Sequence, residues 1–313
     1  MENLAIVDLG SNSVRMGITQ IENDGSFKEV KRIKEDTRIS EGMGAEKRLT
    51  KVAMDRTIKA LVSFKKLYAN LPNLTVRAIT TAAVRQAVNQ TEFLSRVQKE
   101  VGLKLQVLSG DDEAYYDFLG AVNALPLDDC IILDTGGASC ELIHVANRKA
   151  KNLISVPFGA VNLSEQFHFE NIITAGNLFS GQVFVRKRLQ DIWWLNDAMH
   201  LPIVLLGGAN RTLARINRKA QKMVRVEDIH GYRLKTETVF DTFDRLISKD
   251  NSQRQAIDGL EYDRADIIVG GMLPLVELLQ LLDSDRVIFS ESGVREGIVS
   301  EYVSQHPKYQ AHP

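Results

Sequence analysis

Two short apolar segments of the chain each end in an aspartate, Asp8 and Asp134, and a turn of small residues follows each of them. The apolar segments, and the strand-like segments after the turns, occupy residues 4–7 and 14–21 in the first case and 130–133 and 141–146 in the second. A strand, an acid, a Gly/Ser turn and a second strand are thus repeated. The repeat predicts two related halves, each with its own sheet, and a cleft between them.

Helical and strand-like segments alternate over the rest of the chain. Apolar periodicity predicts helices near residues 51–71, 91–101, 111–124, 163–169, 176–195, 212–225, 235–247, 265–282 and 295–304, and strands near residues 74–79, 103–108, 152–157 and 203–206. Residues 126–129 interrupt the pattern and mark the best domain boundary. The order predicts an α/β fold with mixed sheets, and 313 residues are enough for two domains.

Composition excludes several classes of protein. Lys and Arg (39) nearly balance Asp and Glu (40), so any attraction for a polyanion must come from a local patch, and nucleic acid is not an expected partner. The apolar runs are far shorter than the ~20 residues of a membrane helix, and the first strand leaves no room for a secretory segment. Cys130 and Cys140 lack the spacing of a metal site or a disulfide framework. A soluble, cytoplasmic protein is expected.

Three segments of small residues follow strands and let backbone N–H groups approach an anion, which bulky side chains would prevent. They are Gly10, Ser11, Asn12 and Ser13; Gly136, Gly137, Ala138 and Ser139; and Gly207, Gly208, Ala209 and Asn210 ahead of a predicted helix. Each alone is also typical of plain chain reversal. An aspartate beside a phosphate repels it unless a divalent cation lies between the two groups. The pair Asp8 and Asp134 therefore favours a metal-assisted phosphate site over simple turn capping.

The predicted helix after the third segment concentrates positive charge. Basic residues recur every three or four positions, and apolar residues fall on the other side: Arg211, Arg215, Arg218, Lys222 and Arg225 against Leu213, Ile216, Ala220 and Met223. In a chain of net charge −1, this pattern predicts an amphipathic helix whose basic face guides a polyanion. A basic face kept for solubility is the alternative.

Several motifs resemble those of the exopolyphosphatase/guanosine pentaphosphate phosphohydrolase (Ppx/GppA) family. In chain order they are DLGSNSVR at residues 8–15, TTAAVRQA at 80–87, SGDDEA at 109–114, DTGGASCE at 134–141, PFGAVNL at 157–163, DRAD at 263–266 and SGVREG at 292–297. The resemblance covers almost the whole chain, and it is to the short two-domain form of the family. It implies a two-lobed actin/hexokinase/Hsp70-like (ribonuclease H-like) duplicated fold with an interdomain cleft. The N-terminal lobe would span residues 1–124, with the C-terminal helix 298–313 packing back on it, and the other lobe residues 125–297.

The resemblance also implies roles for individual side chains. Glu113 matches the water-activating carboxylate, although a first-turn helix acid is the alternative, and Asp8, Asp134 and Glu141 match the set that holds Mg²⁺. Glu141 alone would also suit an outward-facing strand position. Arg15 and Arg264 match phosphate-holding positions, whereas Arg85 and Arg295 suit phosphate binding and structural ion pairs equally.

Three positions depart from the family pattern. Ala138 stands where a third glycine is usual, Cys140 replaces a threonine, and Asn210 with Arg211 replaces hydroxyl residues. These departures are expected to affect substrate preference and efficiency more than the fold.

Together these features favour a cytoplasmic Mg²⁺-dependent exopolyphosphatase that releases terminal orthophosphate from inorganic polyphosphate. Hydrolysis of guanosine pentaphosphate, a non-catalytic sensor of (p)ppGpp or polyphosphate, and a sugar kinase of the same superfamily are the alternatives. The resemblance further carries the expectation of a homodimer.

Overall fold

The computed structural model describes residues 1–306 and 309. Its strands, in chain order, are β1 (Glu2–Leu9), β2 (Val14–Ile21), β3 (Phe27–Glu35), β4 (Leu74–Thr80), β5 (Gln106–Val107), β6 (Cys130–Thr135), β7 (Cys140–Ala146), β8 (Lys149–Val156), β9 (Ile203–Gly207), β10 (Arg233–Lys235) and β11 (Arg286–Phe289). Its α-helices are α1 (Lys51–Tyr68), α2 (Ala82–Gln86), α3 (Gln90–Val101), α4 (Gly110–Ala124), α5 (Ala160–Phe167), α6 (Ala175–Gln190), α7 (Gly208–Ala220), α8 (Thr236–Ile247), α9 (Asn251–Gln255), α10 (Ile268–Leu282) and α11 (Val294–Gln305). Short 3₁₀ turns cover Leu195–Ala198 and Tyr262–Arg264.

The chain divides into two compact units. The first contains residues 1–119 together with the C-terminal segment from Val294, and the second contains Gly120–Gly293. Both divisions lie a few residues before the boundaries expected at 124/125 and 297/298. Helix α11 belongs to the first unit, while residues 307, 308 and 310–313 of the expected C-terminal helix lie outside the described residues.

The first unit is a five-stranded sheet in the order β3-β2-β1-β4-β5, with helices on both faces. Alternate residues of β1 point to opposite faces, so Val7 and Leu9 join the core formed with α1 and α3. Leu4 and Ile6 join a second core with Ile298 of α11. Asp8 falls on this second face, one position beyond the core residue Val7.

The second unit repeats this topology in a six-stranded sheet, β10-β11-β9-β6-β7-β8. Strands β6, β7 and β8 form an antiparallel meander like that of β1, β2 and β3, and β9 pairs parallel to β6 as β4 does to β1. Its main core includes Ile131, Leu133 and Leu142 together with the almost wholly buried helix α10. The repeat predicted from the two Asp-turn segments is confirmed as a repeat of strand order and register.

The structure differs from the sequence analysis at the end of α7 and at the strand β3. The helix predicted to reach residue 225 ends at Ala220, because Lys222 turns into the left-handed region (φ 55°) and the N–H of Met223 closes the helix end on the carbonyl of Arg218. Strand β3 was missed because it is exposed at most positions and rich in charge, so it has no apolar alternation to read. Among the described residues, no helix has the length and apolar character needed to cross a membrane.

Candidate phosphate-binding site

The first small-residue turn, between β1 and β2, offers unused backbone donors. The N–H of Gly10 closes the turn on the carbonyl of Ser13 at 3.0 Å. Within the part of the chain that the structure describes, the N–H groups of Ser11, Asn12 and Ser13 donate to no other group. The Ser11 hydroxyl accepts from the N–H of Ala83 at 3.2 Å, which fixes the turn against the start of α2. Successive free amides in a rigid turn form a concavity suited to phosphate oxygens.

The second turn, between β6 and β7, has the same geometry. The N–H of Gly136 donates to the carbonyl of Ser139 at 3.0 Å, as in the first turn. The N-terminus of α5 packs directly behind it, and the N–H of Ala160 donates to the carbonyl of Gly136 at 2.9 Å. A Cβ on Gly159 would lie 2.5 Å from that same carbonyl oxygen, so only glycine permits this approach. The second turn is therefore held in place by the start of α5.

Asp134 and Glu141 are directly opposite each other on β6 and β7, so their side chains share one face of the sheet. Glu141 is 1% exposed, and its Oε1 accepts from the Ser155 hydroxyl at 2.7 Å. Two facing carboxylates repel each other unless a cation lies near them. Mg²⁺ takes one or two carboxylates and fills its other positions with water and phosphate oxygens. This pair beside the second turn fits such an ion.

Within either unit, the described residues contain no cluster of three or more His, Cys, Asp or Glu side chains that would form a complete metal cage. In the first unit, Asp8 has a different neighbour, because its partner across β1 and β2 is Arg15. The assignment of Asp8 to the same ion stays a prediction.

The junction of β9 and α7 brings a glycine pair against an acid and an arginine. Gly207 has φ +90°, and a Cβ there would lie 2.5 Å from Oδ1 of Asp134 and 2.6 Å from the carbonyl oxygen of Thr135. A Cβ on Gly208 would lie 2.4 Å from an Nη atom of Arg264, whose side chain is 7% exposed. A buried guanidinium at a helix N-terminus meets the positive end of the helix dipole. An anion held between them would stabilise both.

The third segment is nevertheless not a loop. Helix α7 begins at Gly208, so Ala209 and Asn210 are helical, and the side-chain amide of the fully buried Asn210 donates to the carbonyl of Leu206 at 2.6 Å. Only Gly207 and Gly208 border the junction as expected. The Asn210 departure therefore acts as an internal brace of the helix start.

The predicted basic stripe of α7 is not formed. Arg215 is ion-paired with Glu261 and with Glu227, and Arg218 donates to the carbonyl of Arg225 and lies over the ring of Tyr232. Arg211 donates from its Nε to the carbonyl of Gly207. Lys222 and Arg225 follow the end of the helix. The basic side chains that form a continuous stripe in the sequence pattern each make separate contacts in the structure. Periodicity along the chain does not predict these contacts.

Glu113 lies in the first turn of α4, and its partner is Arg85. Nη1 of Arg85 donates to Oε2 of Glu113 at 3.0 Å and also to the carbonyl of Leu108 at 2.9 Å. The Glu113 side chain is 11% exposed. Of the two roles left open for Arg85, the geometry shows the ion pair, and it fixes the orientation of the carboxylate. Phosphate binding by Arg85 and water activation by Glu113 stay predictions.

Arg15 and Arg295 belong to the same region of the first unit. Arg295 is 7% exposed at its side chain and pairs with Glu296 at 3.4 Å and Glu29 at 3.8 Å. Burial lowers the pKa of Arg295, and the positive charge of Arg15 acts in the same direction while Asp8 opposes it. Asp8, Arg15 and Arg295 therefore form one charged cluster on the sheet face that α11 covers.

Two of the departures from the family pattern, Ala138 and Cys140, lie within the second turn and at the start of β7. Cys140 is 1% exposed and belongs to the apolar core, on the opposite face of β7 from Glu141. Burial, with the charge of Glu141 next, raises the pKa of its thiol well above the usual value. The hydroxyl that it replaces would therefore point into the core. Ala138 is buried within the second turn, where its carbonyl accepts a 3.5 Å contact from the side chain of Asn162.

Both cysteines are expected to be inert in the native protein. Burial raises the pKa of the Cys130 thiol to about 12, and Cys130 is 0% exposed. The nucleophilic thiolate is therefore scarce at neutral pH, and reagent cannot reach it. Titration with a thiol-specific chromophoric reagent is expected to show two thiols per chain in denaturant and none in buffer. Rapid labelling of either cysteine in buffer would contradict the packing.

Some contributing residues have no signal in the sequence. Ser155 holds Glu141, and Glu261 pairs with Arg215, and each of these two contacts joins residues that are far apart in sequence. Glu261 also lies 3.6 Å from Nε of Arg264, three residues further along the chain. Only strand register and the return of the chain after α9 bring them there. Gly159 lies in one of the family-like motifs. The need for a glycine there comes from its close approach to the second turn, which the sequence does not show.

These turns, acid positions and repeated sheets define a protein of the actin-like two-domain class. The Ppx/GppA phosphatase family model matches residues 18–306, and the chain belongs to that family. A crystal structure of the Aquifex aeolicus Ppx/GppA family member covers 100% of this chain and 99% of its own, with 29% identity and a TM-score of 0.79. An exopolyphosphatase structure from Cytophaga hutchinsonii has the same fold, with a TM-score of 0.88 at 23% identity over 98% of this chain and 99% of its own.

A longer protein contains a similar region. The bifunctional 3-dehydroquinate synthase/phosphatase of Fusobacterium nucleatum is 28% identical over 312 residues, covering 96% of this chain and 46% of that protein. The chain thus spans about half the length of this curated relative.

Proposed function

We propose that this protein is a Mg²⁺-dependent exopolyphosphatase that releases terminal orthophosphate from inorganic polyphosphate. The observation that carries the proposal is the arrangement of the second unit, where a small-residue turn suited to an anion lies beside two facing carboxylates. A polyphosphate chain with its counter-cation matches both parts of this arrangement. Membership of a phosphatase family supports the same reaction class.

Each polar group has a distinct part in the proposed reaction. The turn amides and the Arg264 guanidinium hold phosphate oxygens, and the α7 N-terminus adds partial positive charge. Glu113, oriented by Arg85, accepts the proton of the attacking water. Asp134 and Glu141 would hold Mg²⁺, which neutralises charge that develops on the transferring phosphoryl group.

Phosphate release from three substrates tests the proposal: long-chain polyphosphate, tripolyphosphate and guanosine pentaphosphate, each with Mg²⁺ and with EDTA. The proposal expects Mg²⁺-dependent release from both polyphosphates. Release from guanosine pentaphosphate alone would replace it with the nucleotide phosphohydrolase reaction. Saturable polyphosphate binding without release of phosphate from any substrate would replace it with a sensor.

Removing one of the facing carboxylates is expected to weaken the response to Mg²⁺. Glu141→Gln keeps the shape and still accepts from Ser155, but it halves the charge offered to the cation. The Mg²⁺ concentration for half-maximal activity is expected to rise on the order of 10- to 100-fold. Glu237→Gln, an exposed acid in the first turn of α8, is the matched control and should leave this value unchanged. An unchanged Mg²⁺ response in Glu141→Gln would remove Glu141 from the metal site.

A further inference from the structure

The first unit contains a cavity of about 210 Å³ that none of the roles above uses. It lies on the face of the sheet covered by α4 and α11, over the strands β4 and β5. Ile79, Leu108 and Ile298 line it as an apolar base, and each of them is buried in the core of that face. A concave site with an apolar base and a few polar groups is the usual form of a small-molecule site.

Three polar side chains at the rim form no polar contact with the other described residues. Arg77, Gln106 and Gln305 line the cavity and are exposed. In the described ranges 1–306 and 309, none of their side chains forms a hydrogen bond or an ion pair with another residue. Arg77 thus offers a whole guanidinium fork, and the two amides offer both donors and acceptors.

The carboxylates near the cavity are already capped by tyrosines. The Tyr116 hydroxyl donates to Glu301 at 2.8 Å, and the Tyr302 hydroxyl donates to Glu2. Burial, with the bond to Glu301, raises the pKa of Tyr116 to about 12, so its ring enters the cavity wall as a neutral donor. Both acids therefore accept hydrogen bonds from tyrosine hydroxyls, and Arg77 is a cation at the rim that forms no ion pair with the other described residues.

The shape and chemistry fit a planar ligand that carries one anionic group. The aromatic side chains of Tyr116, Tyr302 and His306 are among the residues that line the cavity, and a flat ring can stack on such side chains. Glutamine amides hydrogen-bond the edge of a heterocycle, and an arginine fork binds a phosphate. We propose that this cavity is a binding site for a purine nucleoside monophosphate, with the base on the apolar floor and the phosphate on Arg77.

Calorimetric titration of the full chain with AMP, GMP, adenosine and inorganic phosphate tests the site. We expect saturable binding of at least one of the two nucleotides, with weaker binding of adenosine and of phosphate. Arg77→Gln is expected to weaken nucleotide binding at least about 10-fold, the loss of a charge-assisted bidentate contact. Arg48→Gln, which changes an exposed arginine away from the cavity, should bind like wild type.

A second variant separates this site from the proposed catalytic machinery. Arg264→Gln should lose phosphate release from polyphosphate and keep nucleotide binding, whereas Arg77→Gln should show the reverse. Nucleotide binding that Arg264→Gln abolishes and Arg77→Gln preserves would overturn the proposal. Absence of saturable binding, or equal binding of inorganic phosphate and nucleotide, would overturn it as well.

Discussion

Replacement of Glu113 by glutamine is expected to lower kcat for phosphate release by about 10²- to 10⁴-fold, the usual contribution of a general base. The amide has nearly the same shape but cannot accept the proton of the attacking water. It also leaves Arg85 without the carboxylate that it touches at 3.0 Å. Steady-state rates on polyphosphate at saturating Mg²⁺ measure the loss, and KM should change far less than kcat.

A matched control and a folding measurement make this result interpretable. Glu92→Gln changes an acid in the first turn of another helix of the same unit, one that is exposed and not buried like Glu113, and it should leave kcat unchanged. Circular dichroism and urea denaturation of Glu113→Gln should show an intact fold, because the side chain is not part of an apolar core. A folded Glu113→Gln protein with the kcat of wild type would refute the assignment of Glu113.

The second large effect concerns stability. Gly207→Ala is expected to reduce the free energy of unfolding by about 3 kcal/mol or more, from strained backbone and overpacking together. The position has φ +90°, and the added Cβ would meet the Thr135 carbonyl oxygen at 2.6 Å, an atom of the central strand β6 that cannot move alone. Urea denaturation followed by fluorescence measures the change.

The control for this prediction is another glycine of the same unit. A Cβ on Gly176, in the first turn of α6, would find its nearest atom at 4.0 Å, and no left-handed backbone is involved. Gly176→Ala should therefore leave stability unchanged or raise it by up to about 1 kcal/mol. Equal stability of Gly207→Ala and wild type would mean that the β9–α7 junction is not packed as described.

Local patterns predicted the strands and turns that carry the candidate site. An apolar run, an aspartate and a small-residue turn are contiguous in sequence, so β1 with β2 and β6 with β7 could be predicted with their turns. The direct pairing of Asp134 with Glu141 follows from such a tight turn. Long-range contacts could not be predicted in this way. The ion pair of Arg215 with Glu261 joins residues far apart in sequence, and it removes the side chain from a stripe that looked continuous.

Strand β3 and the end of α7 show two other limits. Phe27–Glu35 has the charge pattern of a loop, and its strand conformation depends on hydrogen bonding to β2. The left-handed residue that ends α7 is a lysine, Lys222, whereas the common sequence signal for such an ending is glycine. In both cases the neighbouring chain decides the conformation, and the segment's own composition does not reveal it.

The internal repeat places Arg15 and Glu141 at equivalent positions, each opposite an aspartate across its hairpin. One hairpin thus places a basic residue opposite its aspartate, whereas the other places a second acid there. Two copies of the same scaffold have in this way become unequal in charge at the same position of the hairpin, one neutral as a pair and one doubly acidic.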